Sequence, residues 1–162
     1  MDHLYLERNP QLRKYILHNV ERTGVKLGAG SFGAVEEVTM AGTVCAGKVW
    51  HEILLDSKNE GVESMVERFV KECELMSQVR HPNIAQFMGI CFMKDSPYPI
   101  LVMEKLHTSL DQLLETRQNL PLGLKLHILL DISRGLVHLH DNIKPPIVHR
   151  DLTTCNVLLN EL

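Results

Sequence analysis

The sequence predicts an α+β fold in which five strands and one helix precede a mainly helical part. Two observations support this prediction. Short alternating apolar segments punctuated by glycine fill much of residues 23–50, and the apolar spacing from Val62 to Val79 follows one helix face. The character changes between Leu106 and Thr108. We therefore divide the chain into a polar lead-in with some helical character (1–19), a sheet-containing part (20–106) and a helical part (107–162).

Five strands are predicted, each bounded by a turn or a glycine-rich stretch. They are the segment around Val25 and Leu27, Ala34–Met40, Thr43–Trp50, Ile84–Met93 and Ile100–Glu104. The second and third strands flank Ala41-Gly42, and a two-residue connection that contains glycine is typical of a β-hairpin. Residues 51–61 are polar and are predicted to form a loop.

Three helices are predicted from apolar spacing, at Val62–Val79, Ser109–Arg117 and Leu122–His140. The first ends before His81-Pro82, because a residue that precedes proline resists the α conformation. Beyond the third helix, short extended pieces at 147–148 and 157–159 flank a polar loop.

Composition argues against several classes of function. The 162 residues carry a net charge of −3 and no basic block, so neither nucleic acid nor an anionic membrane is an expected partner. The four cysteines form no C-x-x-C pair, and we therefore expect reduced thiols and a cytoplasmic location. No stretch has the length of a membrane span or the pattern of a signal peptide.

A glycine-rich run, Gly28-Ala29-Gly30-Ser31-Phe32-Gly33, follows the first predicted strand. Such a run lets backbone N–H groups approach phosphate oxygens without interference from side chains. A dinucleotide-binding turn would lead into a helix, whereas this run leads into the alternating segment Ala34–Val38. A phosphate-covering hairpin is favoured, and a glycine-rich turn without a ligand is the alternative.

A lysine and a glutamate are placed where each would need an ionic partner. Lys48 lies within an apolar strand, where the alternative is an edge lysine that reaches water. With Phe69 set to 0°, the apolar stripe of the 62–79 helix extends from about −80° to +100°, and Glu72 falls at about −60°. A carboxylate on a core face is costly unless paired, so Lys48 is the expected partner of Glu72. The alternative for Glu72 is a residue at the edge of the stripe that bends out to water.

The segment His149-Arg150-Asp151-Leu152-Thr153-Thr154-Cys155-Asn156 is the most specific signal. It places an aspartate and an asparagine five residues apart in a loop, where they can bring a base close to a metal ligand. The glycine run, Lys48 and this segment follow one another along the sequence in the order found in protein kinases. The chain therefore resembles the protein kinase family across residues 20–162. The phrase His81-Pro82-Asn83-Ile84 is similar to that of tyrosine-kinase-like and related kinases.

The resemblance implies a two-lobe fold, with an antiparallel five-stranded N-lobe and an incomplete helical C-lobe, and it implies ATP, Mg²⁺ and a protein substrate. Residues 28–33 would cover the ATP phosphates, and Lys48 would contact the α- and β-phosphates and pair with Glu72 in the active state. Asp151 would accept the proton of the substrate hydroxyl, and Asn156 would bind the second Mg²⁺.

Further nucleotide contacts are implied by matching family positions, with Met103 as gatekeeper and with Glu104 and Leu106 as backbone hinge contacts. The full implied ATP-binding set is Leu27, Gly28, Ala29, Gly30, Ser31, Phe32, Gly33, Ala34, Val35, Ala46, Lys48, Met103, Glu104, Leu106 and Leu158.

Three departures from the family pattern qualify these expectations. Gly47 stands where a branched apolar residue is usual, and glycine inside a strand weakens it by roughly 0.5–1 kcal/mol relative to alanine. Thr153 stands where serine/threonine kinases usually carry lysine and where tyrosine kinases carry alanine or arginine, so this position does not decide the acceptor; the tyrosine-kinase-like resemblance implies Ser/Thr, with Tyr as the alternative. The sequence stops at Leu162 without a D-F-G segment, so we expect this chain alone to be inactive and poorly stable. We also expect an exposed apolar patch on the 122–140 helix.

Two functions follow from this pattern. The first is an ATP-dependent protein kinase represented by a fragment, which would transfer the γ-phosphoryl group in the complete protein. The second is a non-catalytic kinase-like module that binds a nucleotide or a partner. The joint presence of Lys48, Glu72, Asp151 and Asn156 favours the first. The oligomeric state is left open.

Overall fold

The computed structural model describes residues 7–30, 33–49, 62–96, 99–117 and 119–160. The chain divides into two compact units, residues 1–78 with 87–105 and residues 79–86 with 106–162. Residues 79–86 thus group with the helical part of the chain, although they precede it in sequence. The loop predicted at 51–61 lies outside the described residues.

A five-stranded antiparallel sheet forms the frame of the first unit, as the sequence predicts. Its strands are β1 (Val20–Gly30), β2 (Gly33–Met40), β3 (Thr43–Val49), β4 (Phe87–Cys91) and β5 (Ile100–Glu104), in the spatial order β1-β2-β3-β5-β4. The β2–β3 turn has φ of 49° at Ala41 and 82° at Gly42, and two positive φ values match the twist of a tight hairpin. β4 is shorter than the predicted 84–93 segment because Ile84 instead donates its N–H to the His81 carbonyl, at 3.0 Å.

Helix α1 (Val62–Gln78) packs on one face of this sheet. Its Phe69, Val70 and Cys73 are buried together with Phe87, Ile90 and Leu101 of β4 and β5. The apolar spacing of the sequence therefore predicts the correct helix and its general contact face. Burial raises the pKa of the Cys73 thiol to about 12, so this thiol is protonated and unreactive within the core.

The opposite face of the sheet carries a second apolar cluster, formed by Val38, Cys45, Cys91 and Val102. Gly47 lies on this face, where an added Cβ would stand 2.9 Å from Cγ1 of Val38 and 3.0 Å from Cγ2 of Ile100. Gly47, which weakens the strand on conformational grounds, thus allows Val38 and Ile100 to pack directly against its backbone.

The N-terminal lead-in is more structured than its polar composition suggests. Leu12 is fully buried and Tyr15 is 9% exposed, and both belong to the cluster formed around α1. A 3₁₀ turn at Arg13–Tyr15 directs these two side chains inward. The lead-in predicted with some helical character thus contains a 3₁₀ turn, and two apolar side chains anchor its described part to the core.

The second unit is assembled from short elements, namely β6 (Thr108–Ser109), α2 (Leu110–Thr116), α3 (Leu122–Val137) and β7 (Leu158–Leu159). Ser109 caps α2 through a capping box with Gln112, which explains why the helix begins one residue after the predicted start. A π-helical turn at His138–Asn142 extends α3, and the rings of His138 and His81 stack at 4.8 Å. None of the helices in the described part of the chain is long and apolar enough to cross a membrane.

Helix α3 exposes a row of large apolar side chains, as the sequence predicts for the 122–140 helix. The exposed members are Leu122, Leu126, Leu129, Leu130 and Val137, with exposures between 48% and 71%. Leu126 and Leu129 both lie in this exposed row, so neither is buried. The helix instead packs through Ile128 and through Gly135, where an added Cβ would lie 3.0 Å from the Asn83 carbonyl oxygen.

Candidate functional site

The glycine-rich run forms the closed end of the β1–β2 hairpin. Gly28 pairs with Val35, Ala29 with Ala34 and Gly30 with Gly33, while Ser31 and Phe32 lie outside the described residues. A Cβ on Gly28 would meet nothing within 4 Å, so the backbone here is open to an approaching group. At Gly28, therefore, no neighbouring atom blocks the close approach of a phosphate to the backbone.

Across the sheet, the residues predicted to contact nucleotide fall in register. Val35 pairs with Lys48 and Lys48 pairs with Leu101, while Ala46 pairs with Met103. Paired residues point to the same face of a sheet, and residues two apart along a strand share that face. Val35, Ala46, Lys48 and Met103 therefore line the face that also carries α1.

Glu72 lies on the exposed side of α1 and not on the buried core face. Its side chain is exposed, and no ion pair joins it to Lys48 in the parts of the chain that the structure describes. The buried residues Phe69, Val70 and Cys73 lie between about 0° and +100° on the helical count, so the buried face is centred away from Glu72 at about −60°. The side chain lies at the edge of the stripe, the alternative that periodicity left open, and pairing with Lys48 in an active state stays a prediction.

The predicted hinge is tied to the sheet by an ion pair that the sequence did not reveal. Lys105 Nζ lies 2.8 Å from Glu37 Oε2, which links the residue after Glu104 to β2. Hydrogen bonds from Lys105 and Thr23 lower the pKa of the Glu37 carboxyl. Glu37 shares a sheet face with Val35 by alternation, so the pair borders the predicted nucleotide-binding residues. Leu106 is half-buried and belongs to the second unit.

In the second unit, the predicted catalytic loop precedes β7. Arg150 adopts a left-handed φ of 65°, and a 3₁₀ turn at Thr154–Asn156 closes the loop. β7 pairs with β6 in an antiparallel ribbon, and Leu110 N–H donates to the Val157 carbonyl at 2.7 Å. The loop is thus held at its end by the segment that follows the predicted hinge. Leu158, predicted to contact adenine, lies in β7 with its side chain 44% exposed.

Asp151 and Asn156 are brought together within this loop. The Asn156 Nδ2 group donates to Asp151 Oδ2 at 2.7 Å and to the Asp151 backbone carbonyl at 2.9 Å. Both side-chain amide hydrogens thus point to Asp151, which directs Asn156 Oδ1 away as a potential ligand. The carboxylate oxygen Oδ1 of Asp151 has no partner among the described residues and is available to accept a proton.

A second side-chain contact orders the same loop. Thr154 Oγ1 donates to Asp111 Oδ1 at 2.8 Å, which joins the 3₁₀ turn to the first turn of α2. Partial desolvation and the Asp111 carboxylate raise the pKa of the neighbouring Cys155 thiol, which is nevertheless exposed at the surface. Sequence reasoning missed Asp111, since 43 residues separate it from Thr154 and no local pattern connects them.

The residues present fit a magnesium ion only in part. Among the described residues, no three His, Cys, Asp or Glu side chains lie close enough to hold a metal ion. Mg²⁺ usually retains several water ligands and takes one or two protein ligands together with phosphate oxygens. Asn156 Oδ1 could therefore supply one ligand of such an ion.

Comparison with protein families gives a match over most of the chain. Residues 22–162 match the family described as protein tyrosine and serine/threonine kinase. The chain belongs to this protein kinase family. The five-stranded sheet with α1 and the helical second unit accordingly represent a partial two-lobe kinase fold.

Relatives within this kinase family include enzymes named for different acceptors. The chain is 37% identical over 152 residues to the seven transmembrane domain-containing tyrosine-protein kinase 1 of Dictyostelium discoideum, covering 91% of this chain and 21% of that protein. It is 35% identical over 136 residues to the human serine/threonine-protein kinase TNNI3K, covering 83% and 16%. The chain thus spans about a fifth or less of the length of these two relatives.

Proposed function

We propose that this domain binds MgATP and, in the complete protein, supports transfer of the γ-phosphoryl group to serine or threonine hydroxyls of a protein. The observation that carries the proposal is the hydrogen bond of 2.7 Å between Asn156 and Asp151 in a loop of kinase sequence. It holds a carboxylate base and a potential metal ligand in one small unit, which is the arrangement that phosphoryl transfer to a hydroxyl requires.

Four residues of the second unit have defined tasks in this proposal. Asp151 Oδ1 accepts the hydroxyl proton of the substrate, while Oδ2 stays bound to the Asn156 amide. Asn156 Oδ1 would supply one ligand to Mg²⁺, and a bound Mg²⁺ would neutralise charge on the phosphates. Thr154 and Asp111 hold the 3₁₀ turn that carries Asn156.

Most of the residues that bind the nucleotide in this proposal lie in the first unit. The backbone of residues 28–33 covers the phosphates, and Lys48 supplies positive charge on the face that carries Val35 and Ala46. Val35, Ala46 and Met103 contact the adenine ring, and the backbone of Glu104 and Leu106 bonds its polar edge.

Nucleotide binding can be measured on the 162-residue chain. Titration calorimetry with MgATP tests for a site, and Lys48→Met is expected to weaken binding by about tenfold or more, because it removes a cation from the phosphates. Lys26→Met is the matched control, since Lys26 is an exposed lysine of strand β1 in the same sheet. Equal losses in both variants, or the absence of binding by the unaltered chain, would contradict the nucleotide-binding proposal.

Acceptor specificity is tested on the complete protein. Peptides that differ only in a central Ser, Thr or Tyr are assayed for phosphoryl transfer, with Asp151→Asn as the variant that removes the base. We expect transfer to Ser or Thr and a loss of about 100-fold or more in the variant. Nucleotide binding without Asp151-dependent transfer would instead establish a non-catalytic kinase-like module, a function that the exposure of Glu72 also fits.

A further inference from the structure

Residues 9–17, called the strap below, precede the part of the chain matched to the kinase family, which begins at residue 22. The strap is nevertheless bonded into the first unit. Leu17 N–H donates to the Ile90 carbonyl at 2.7 Å, and Ile16 forms a parallel bridge with Ile90. The strap therefore adds main-chain pairing to β4, which is an edge strand of the sheet.

Strand β4 is adapted to this close approach. Gly89 has a φ of 153°, and a Cβ built on it would stand 2.5 Å from the Tyr15 carbonyl oxygen and 2.7 Å from Cγ of Leu17. The β4–β5 register also shifts between Phe87 and Gly89. A side chain at position 89 would push the strap away from the sheet, so the glycine is needed for docking.

Side chains of the strap complete the core around α1. Leu12 is fully buried, with 0% of its surface accessible to solvent. It shares a cluster with Phe69, Val70 and Cys73 of α1. The Tyr15 ring packs against Phe87 with a centroid distance of 6.3 Å. Burying a leucine of this kind typically stabilises a fold substantially, and here the stabilised partner is the helix that carries Glu72.

Two polar contacts between the strap and α1 lie on one side of the helix. The Tyr15 hydroxyl lies 3.3 Å from Ser77 Oγ, and Lys14 Nζ lies 3.7 Å from Glu74 Oε1. On the helical count these partners lie at about +80° and +140°, whereas Glu72 lies at about −60° on the other edge of the helix. The polar contacts of the strap therefore lie on the Ser77 side of α1, away from Glu72.

We propose that the strap is a positioning element of the kinase domain and that Leu12 and Tyr15 set the placement of α1, and through it the placement of Glu72. The proposal deepens the nucleotide-binding function and rests on it for the part that concerns Glu72. The link between the strap and α1 stands on the contacts described above and does not depend on nucleotide binding. Two separate measurements therefore test the two parts.

The first measurement is hydrogen–deuterium exchange of the 162-residue chain without nucleotide. Leu12→Ala is expected to accelerate exchange of amides in residues 66–76 and 87–91 by at least about tenfold, because local opening becomes easier when its anchor is removed. Amides in β2 and β3 are expected to change less than about threefold. Arg13→Ala is the matched control, since Arg13 lies in the same 3₁₀ turn but is exposed.

Two further variants keep this measurement decisive. Leu12→Met fills the site with a side chain of similar volume and is expected to restore slow exchange in α1. Leu12→Val is the milder variant to use if Leu12→Ala does not stay folded, and the same selectivity at smaller amplitude is expected. Equal acceleration in every strand would make Leu12 an ordinary core residue, and unchanged exchange in α1 would show that the strap does not hold it; either result overturns the proposal.

The second measurement couples the strap to Glu72 through MgATP affinity. Leu12→Ala is expected to change the affinity about fivefold when Glu72 is present and less than about twofold in a Glu72→Gln background, because residues that act through one another are non-additive. Equal effects in both backgrounds would refute the link to Glu72. If the unaltered chain does not bind MgATP, the nucleotide-binding function fails, while the exchange experiment still decides the role of the strap.

Discussion

Gly47 offers the sharpest test of how packing and backbone preference compete beside Lys48. Replacing glycine in a strand by alanine usually stabilises a protein by about 0.4–1 kcal/mol, because the unfolded chain loses freedom. At this position, however, the new Cβ would stand 2.9 Å from Val38 Cγ1 and 3.0 Å from Ile100 Cγ2. Both neighbours are fully buried, so neither can move without disturbing the core.

The two effects have opposite signs and can be compared. Overpacking a core by one methyl group costs about 1–3 kcal/mol, which exceeds the gain of about 0.4–1 kcal/mol from lost chain freedom. Gly47→Ala is therefore expected to lower the free energy of unfolding by about 1–2 kcal/mol. With a urea dependence of about 2 kcal/mol per molar, the unfolding midpoint should fall by about 0.5–1 M.

The assay is urea unfolding of the 162-residue chain followed by circular dichroism. Gly28→Ala is the matched control, because its Cβ would meet nothing within 4 Å, and it is expected to be neutral or slightly stabilising. In a Val38→Ala background the cost of Gly47→Ala should fall by about 1 kcal/mol, since the colliding methyl group is gone. A midpoint that rises with Gly47→Ala, as for the control, would refute the packing argument.

Three further expectations concern charge, thiol chemistry and exposed surface. Lys105→Met removes the cation that lowers the Glu37 pKa; because that stabilisation is present above the ordinary carboxyl pKa of 4.5 and is lost as pH falls, acid unfolding monitored by circular dichroism should move to higher pH. In the folded chain a maleimide reagent should modify Cys155 alone of the four cysteines, because the other three are buried. The modification is followed by mass spectrometry, and rapid labelling of a second thiol would contradict this expectation. Leu126→Gln with Leu129→Gln should reduce binding of a hydrophobic dye without lowering the melting temperature, since both side chains are more than half exposed.

Much of the first unit could be predicted because its signals are local. The Ala41-Gly42 turn fixes a hairpin, and the spacing of Phe69, Val70 and Cys73 identifies the helix and its apolar stripe. The sequence could not predict which part of that stripe is buried. A stripe about 180° wide allows several rotations of the helix, and contacts made by Leu12, distant in sequence, select among them.

The loop that carries Asp151 and Asn156 shows the same limit. The types and spacing of Asp151 and Asn156 indicate a base beside a metal ligand, and the two side chains are indeed joined by a hydrogen bond. The support for that loop comes from Asp111, whose bond to Thr154 depends on how α2 and the loop meet in space. Motif reasoning therefore identifies groups that can perform chemistry, whereas the side chains that fix their geometry become visible only once distant segments are placed side by side. For this domain both Asp111 and the strap are such supports, and each acts on an element that carries a residue of the kinase motif.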